Sequence, residues 1–236
     1  MNEPLQIALL TLMAGAMIPV GGSLALIDRM HPGWLDNEFR HFVIAFGGGA
    51  LLAAIALVLV PEGSAKVSIV GAVVWFSLGS LAFLGLDVLL DRNGSSGSQL
   101  AATLSDFVPE ALALGAAAAS GQGSGLLLAL LIGLQNLPEG FNSFREIRSA
   151  GMPSRKLLFW FFLLPVVGPF AGLAGYFWLA DFPRVIGAIM LFASGGILYL
   201  VFQDIAPQAK LARHWSPPLG AVAGFLLGLV GQMLLA

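Results

Sequence analysis

Apolar residues recur along this chain in runs of roughly 20, interrupted by short clusters of charged residues, glycine with serine, and proline. A run of that length is what an α-helix needs to cross about 30 Å of hydrocarbon at 1.5 Å per residue. Breaking the sequence at those clusters gives eight spans: Leu5–Ile27, Phe42–Pro61, Val67–Leu90, Leu100–Ala119, Gly125–Phe144, Leu157–Ala180, Val185–Ile205 and Leu219–Leu235. No room remains for a separate soluble domain, so residues 1–236 read as a single transmembrane domain. The opening Met1-Asn2-Glu3-Pro4 lacks the basic n-region and small-residue cleavage site of a signal peptide, and the first run is expected to be a retained helix.

Composition agrees. The chain is 58% hydrophobic and 10% charged, against about 25% charged residues in an average soluble domain. The absence of cysteine excludes disulfides and thiolate metal sites. Charge also orients the spans. The loops after spans 1, 3, 5 and 7 hold Arg29, Arg40, Arg92, Arg145, Arg148, Arg155, Lys156, Lys210 and Arg213, nine of the eleven basic residues, leaving Lys66 and Arg184 for the other side. By the positive-inside rule the nine face the cytoplasm and both termini are extracytoplasmic. The lipid bilayer is therefore the first partner, nucleic acid is not one, and the short loops favour the cell membrane of a prokaryote, its inner membrane.

An ionisable side chain at the bilayer centre costs about 2.5–3.5 kcal/mol on insertion scales, so each one inside a span calls for a reason. Glu3, Asp28, Asp36, Glu38, Asp91, Glu146 and Asp181 fall in loops or at span ends, with Asp87 also near an end, where water is expected to solvate them. The fourth span is different: Ser105-Asp106-Phe107-Val108-Pro109-Glu110 puts two carboxylates four residues apart on one helix face. The fifth repeats the spacing in Gln135-Asn136-Leu137-Pro138-Glu139-Gly140, with Gln135 four residues and Asn136 three residues before Glu139. The linker Ser120-Gly121-Gln122-Gly123-Ser124 is short, so the two spans run antiparallel and close, and the motifs can face each other as one oxygen-rich cluster. Pro109 and Pro138 each remove a hydrogen bond one turn back, freeing the carbonyls of Ser105 and Leu134. Freed carbonyls and carboxylates at membrane depth are a recurring way to hold cations in transporters. The alternative is a set of protonated carboxylates hydrogen-bonded within the bundle.

These residues resemble the ZIP (Zrt/Irt-like protein) family of divalent metal transporters. Gln135-Asn136-Leu137-Pro138-Glu139-Gly140 is similar to its fifth-span signature, and Asp106-Phe107-Val108-Pro109-Glu110-Ala111 resembles a degraded copy of the fourth. Phe46-Gly47-Gly48-Gly49-Ala50-Leu51-Leu52-Ala53 with Val60-Pro61-Glu62-Gly63, and Gln203-Asp204-Ile205-Ala206-Pro207-Gln208-Ala209, resemble the second and seventh spans. The resemblance implies an all-α, eight-helix membrane bundle of ZIP type that moves a divalent cation into the cytoplasm. It implies metal ligands at Asp106, Glu110, Gln135 and Glu139 with Asn136 adjacent, and pathway residues at Ser105, Glu62 and Asp204.

The departures from that pattern are specific. Asp106 and Phe107 stand where the family offers histidine and asparagine, Gly168 where many members carry a sixth-span acid, and Leu51 where some have methionine. The histidine-rich loop of the family is replaced by Arg92-Asn93-Gly94-Ser95-Ser96-Gly97-Ser98-Gln99. A two-metal centre is thus expected to shrink to one all-oxygen site. Imidazole and thiolate favour zinc, carboxylate and carbonyl oxygen suit harder ions such as manganese with ferrous iron intermediate, and zinc also binds carboxylates, so the cargo is read as a divalent transition metal (zinc, iron, manganese, cobalt or cadmium) and no resident cofactor is expected. The lost ligands also motivate a second reading, a non-transporting homologue that senses metal or serves as a structural subunit. An enzyme is not expected, since no Ser/His pair and no His-Glu-x-x-His occurs.

Gly220, Gly224 and Gly228 in the last span, and Gly168 and Gly172 in the sixth, permit close helix contact, with packing as the first reading and a homodimer as the second. His31, His41 and His214 read as surface residues, and Trp34, Trp160, Trp178 and Trp215 as interfacial anchors. The small residues from Ala111 to Ala119 predict a thin helix buried among others.

Overall fold

A computed structural model describes residues 2–30, 37–93, 96–119, 124–179, 181–211 and 215–235. Within these, the side chains at 28–30, 37, 90–93, 96–103, 105–106, 119, 124, 146 and 235 are not described. His31, Trp34, Asp36, Arg213 and His214 therefore lie outside the described residues.

The described chain is helical, with no strand, and its helices line up as eight rods. We label them α1 (Glu3–Met30), α2 (Asn37–Ala53, a π-helical stretch Ala54–Leu59, then Val60–Ser64), α3 (Ile69–Asn93), α4 (Ser96–Ala119) and α5 (Ser124–Ser149). Next come α6 (Ser154–Leu163, a 3-10 turn Leu164–Val166, then Val167–Leu179), α7 (Pro183–Leu200, a π-helical stretch Val201–Ile205, then Ala206–Ala209) and α8 (Ser216–Leu235). Among the described residues, six of these rods, α1, α2, α3, α6, α7 and α8, are long and apolar enough to cross a membrane. The chain is an all-α, multi-pass membrane protein. Of the other two, α5 carries Gln135, Asn136 and Glu139, and the described residues of α4 include the apolar stretch Phe107–Ala118.

Most rods run a few residues beyond the apolar runs, because backbone hydrogen bonding continues past the point where side chains become polar. The turn from α5 to α6 closes on Gly151, whose φ of 101° belongs to the left-handed region. Its N–H bonds to the Arg148 carbonyl and that of Met152 to the Ile147 carbonyl, a capping arrangement that stops a helix sharply.

Proline explains where the regular α-helix gives way. A proline donates no hydrogen bond, and its ring crowds the carbonyl four residues earlier. Pro61 crowds Leu57, inside the first π-helical stretch, and Pro207 crowds Gln203, inside the second. Pro165 sits within the 3-10 turn of α6. Pro19, Pro109 and Pro138 lie in uninterrupted α-helix.

Four helix pairs pack backbone to backbone, and each contact is a glycine against a carbonyl. A Cβ at Gly21 of α1 would overlap the Leu137 carbonyl of α5, and one at Gly140 the Ile18 carbonyl. The same holds for Gly220 and Gly224 of α8 against Phe42 and Phe46 of α2, for Gly79 and Gly195 between α3 and α7, and for Gly115 and Gly175 between α4 and α6. Close approach of small residues is how helices gain van der Waals contact where lipid removes the hydrophobic drive. The glycine face of α8 is thus taken up by α2 of the same chain. Buried alanines 111, 113, 116 and 117 let α4 sit thinly among α1, α3, α5, α6 and α7, as its composition predicts. In contrast, α3 turns Ile69, Val70, Val73 and Leu81 outward as an apolar surface.

A buried acceptor-rich cluster between α4 and α5

Glu110 projects from the middle of α4 and is only 4% exposed; Gln135 and Asn136 of α5 are buried beside it. The side-chain amide nitrogen of Gln135 donates to both carboxylate oxygens of Glu110, at 3.4 and 3.3 Å, and to Oδ1 of Asn136 at 2.7 Å. Asn136 in turn donates its Nδ2 to the Ala14 carbonyl of α1 at 2.9 Å. The long, shared contact to Glu110 is weak by geometry, and the short one fixes the two neighbouring amides against each other. Glu139, one turn along α5, lies within electrostatic range of Glu110 and interacts with Gln135.

Donors run out before acceptors do. Ionised carboxylates only accept, and an amide side chain offers two N–H groups. Those of Gln135 are already committed within the cluster. No lysine, arginine or histidine occurs between residues 96 and 144, so the nearest basic residues on either helix are Arg145 and Arg148 in the last turns of α5, beyond the motif. Two carboxylates inside the bundle, with no cationic side chain on the stretch of either helix from 96 to 144, make a place that favours a cation, or protons on the carboxylates themselves.

Among the described residues, no three His, Cys, Asp or Glu side chains come together as a group suited to a metal ion. The expected third carboxylate of the core, Asp106, and the adjacent Ser105 have side chains outside the described set. The structure therefore brings Glu110, Gln135, Asn136 and Glu139 together and is silent on Asp106 and Ser105. It also assigns Asn136 a tie to α1, beyond mere adjacency to the cluster.

The two outlying candidates differ from each other. Glu62 follows the π-helical stretch of α2 and pairs with Lys66 one turn on, N to O 3.9 Å, while its Oε2 has no hydrogen-bond partner. Asp204 lies inside the π-helical stretch of α7, which continues to Ala209, and is within electrostatic range of Glu139 and of Tyr199. It belongs beside the cluster as well as near the helix end.

Three acidic residues read as simply water-solvated have protein partners. Asp87 of α3 accepts a hydrogen bond from the Tyr199 hydroxyl of α7 at 2.8 Å. Glu38 accepts from Ser216 at 2.6 Å, and Glu3 from the Tyr176 hydroxyl. Each partner is distant in sequence, so spacing alone could not reveal it. The π-helical stretches were also missed, although Pro61 and Pro207 were their visible signal. π-Helical turns are rare and concentrate at functional sites, and here they adjoin Glu62 and contain Asp204.

No protein-family model matches the chain, and no curated protein matches it.

Proposed function

We propose that this chain is a ZIP-type transporter that moves a divalent transition-metal cation across the membrane into the cytoplasm. The observation that carries the reading is the excess of acceptors between α4 and α5: Glu110 and Glu139 in electrostatic range, Gln135 between them, and no basic residue from 96 to 144. In this reading Glu110 and Glu139 are bridging ligands, with Gln135 and Asp106 completing the shell. All eight rods span the bilayer, α4 and α5 included, since their 24 and 26 residues are long enough to cross. Both termini are extracytoplasmic in a prokaryotic cell membrane, following the basic residues. The π-helical stretches of α2 and α7 supply adaptable backbone next to Glu62 and Asp204, at either end of the route.

A second reading, a non-transporting homologue that senses metal or has a structural role, is favoured by one observation. Gln135 already hydrogen-bonds both oxygens of Glu110, so the cluster is partly satisfied without a cation.

Equilibrium binding separates cation binding from a purely structural cluster. Purified protein in detergent is offered zinc, manganese, ferrous iron, cobalt, cadmium and magnesium, alongside Glu110→Gln/Glu139→Gln. Saturable binding of a transition metal, weakened at least tenfold by the double substitution, is the expected result. Equal binding by both proteins would remove the cluster from any role in holding a cation.

A further inference from the structure

Helix α7 is flanked by two apolar grooves, one near each end, and each groove contains a single basic residue. Near its start, a cavity of about 400 Å³ between α3 and α7 is lined by Trp75, Ala188, Ile189 and Phe192 together with Arg184. Near its other end, a cavity of about 370 Å³ lies between α2, α7 and α8. Its walls include Ala45, Leu52, Phe202, Ile205 and Ala221, and Lys210 is its one charged lining residue. Among the described residues the Lys210 ammonium has no carboxylate partner.

A groove of this kind on a membrane protein selects an occupant by two properties. Apolar walls take a hydrocarbon tail, and the ammonium takes an anion at the end of that tail. A zwitterionic headgroup brings its own cation and gains less from Lys210 than an anionic one does. Anionic lipids attract basic residues at the cytoplasmic face, where the charge distribution of this chain puts Lys210.

We propose that this groove binds one anionic phospholipid of the cytoplasmic leaflet, with an acyl chain between α2, α7 and α8 and its phosphate on Lys210. The leaflet assignment rests on the orientation given above; the binding does not depend on cation transport. The groove shares a wall with the cluster's surroundings. Ile205 ends the π-helical stretch that carries Asp204, and it packs on Gly48 of α2, where a Cβ would stand 2.9 Å from its Cγ2. The preceding residue, Gly47, meets Pro138 of α5 in the same way, at 2.7 Å. An acyl chain in the groove therefore braces the π-helical stretch against α2.

Native mass spectrometry of the full chain counts retained lipid directly, whether or not the protein moves any cation. All variants are made in an Arg184→Gln background, which removes the basic residue of the other groove. Titration with phosphatidylglycerol and with phosphatidylcholine should show one preferentially retained phosphatidylglycerol. Lys210→Gln should cut that preference roughly fivefold, as loss of one basic contact at an anionic surface implies, and Lys210→Arg should keep it. Ala206→Phe, which fills the groove from an exposed position, should remove the retained lipid of either kind. No preference for phosphatidylglycerol, or a preference unchanged by both Lys210→Gln and Ala206→Phe in monodisperse protein, would overturn the proposal.

Discussion

The rim of the Phe107 ring rests on Gly168: a Cβ at that glycine would stand 2.8 Å from Cζ of Phe107 and 2.9 Å from the Thr11 carbonyl oxygen. The same ring tip reaches Gly15 of α1. These are two of the positions at which the sequence departs from the pattern it resembles, a phenylalanine on α4 and a glycine on α6. They are in contact, so the two departures fit together: a buried apolar ring, 2% exposed, lies where the opposite helix has no side chain.

That contact predicts a coupled pair. Phe107→Ala should destabilise the protein by about 3–5 kcal/mol through the cavity it leaves, and Gly168→Ala by about 1–3 kcal/mol through overpacking. The double substitution should cost less than the sum, because removing the ring makes room for the new methyl group. Thermal unfolding of the three variants in detergent measures this, and strict additivity would mean that the two residues do not share a space.

Two glycines on α3 offer a contrast on one helix. Gly79 faces the Phe192 carbonyl of α7 with no room for a methyl group, whereas Gly85 has nothing within 4 Å. Gly79→Ala should separate α3 from α7 and lower the unfolding temperature. Gly85→Ala should leave it unchanged or raise it, since alanine is favoured over glycine in a helix by about 1 kcal/mol. The order of the two unfolding temperatures is the check.

The hydrogen bond from Tyr199 to Asp87 joins α7 to α3, and Tyr199 lies within electrostatic range of Asp204. Tyr199→Phe should cost about 1.5–3 kcal/mol, the range for hydrogen bonds to charged groups. In an Asp87→Asn background the same substitution should cost clearly less. A double-mutant cycle with no coupling would show that the bond adds nothing to the docking of α3.

Much of the fold was legible in the apolar runs. Their lengths and breaks located the eight rods to within a few residues, six of them long and apolar enough among the described residues to cross a membrane, because a helix in lipid must satisfy its backbone internally. Pro-Glu in two consecutive helices likewise marked Glu110 and Glu139 as a facing pair. What the runs could not convey was side-chain pairing across helices. Asp87 looks solvated until Tyr199, far along the chain, is seen to reach it. Likewise Asn136 looks like a neighbour of the cluster until its amide is found on the Ala14 carbonyl. The π-helical stretches escaped for a different reason. Pro109 and Pro138 leave an α-helix intact whereas Pro61 and Pro207 do not, and that difference depends on the surrounding packing.

If the cluster of Glu110 and Glu139 carries a cation through the bilayer, metal flux must depend on those two carboxylates. Liposomes containing the wild-type chain or Glu110→Gln/Glu139→Gln are given each of zinc, manganese, ferrous iron, cobalt, cadmium and magnesium outside, and metal arriving inside is followed with an indicator dye. At least one transition metal should enter, with entry falling more than tenfold in the double variant. Entry equal in both proteins, or none with folded wild-type chain, would contradict cation transport by this cluster.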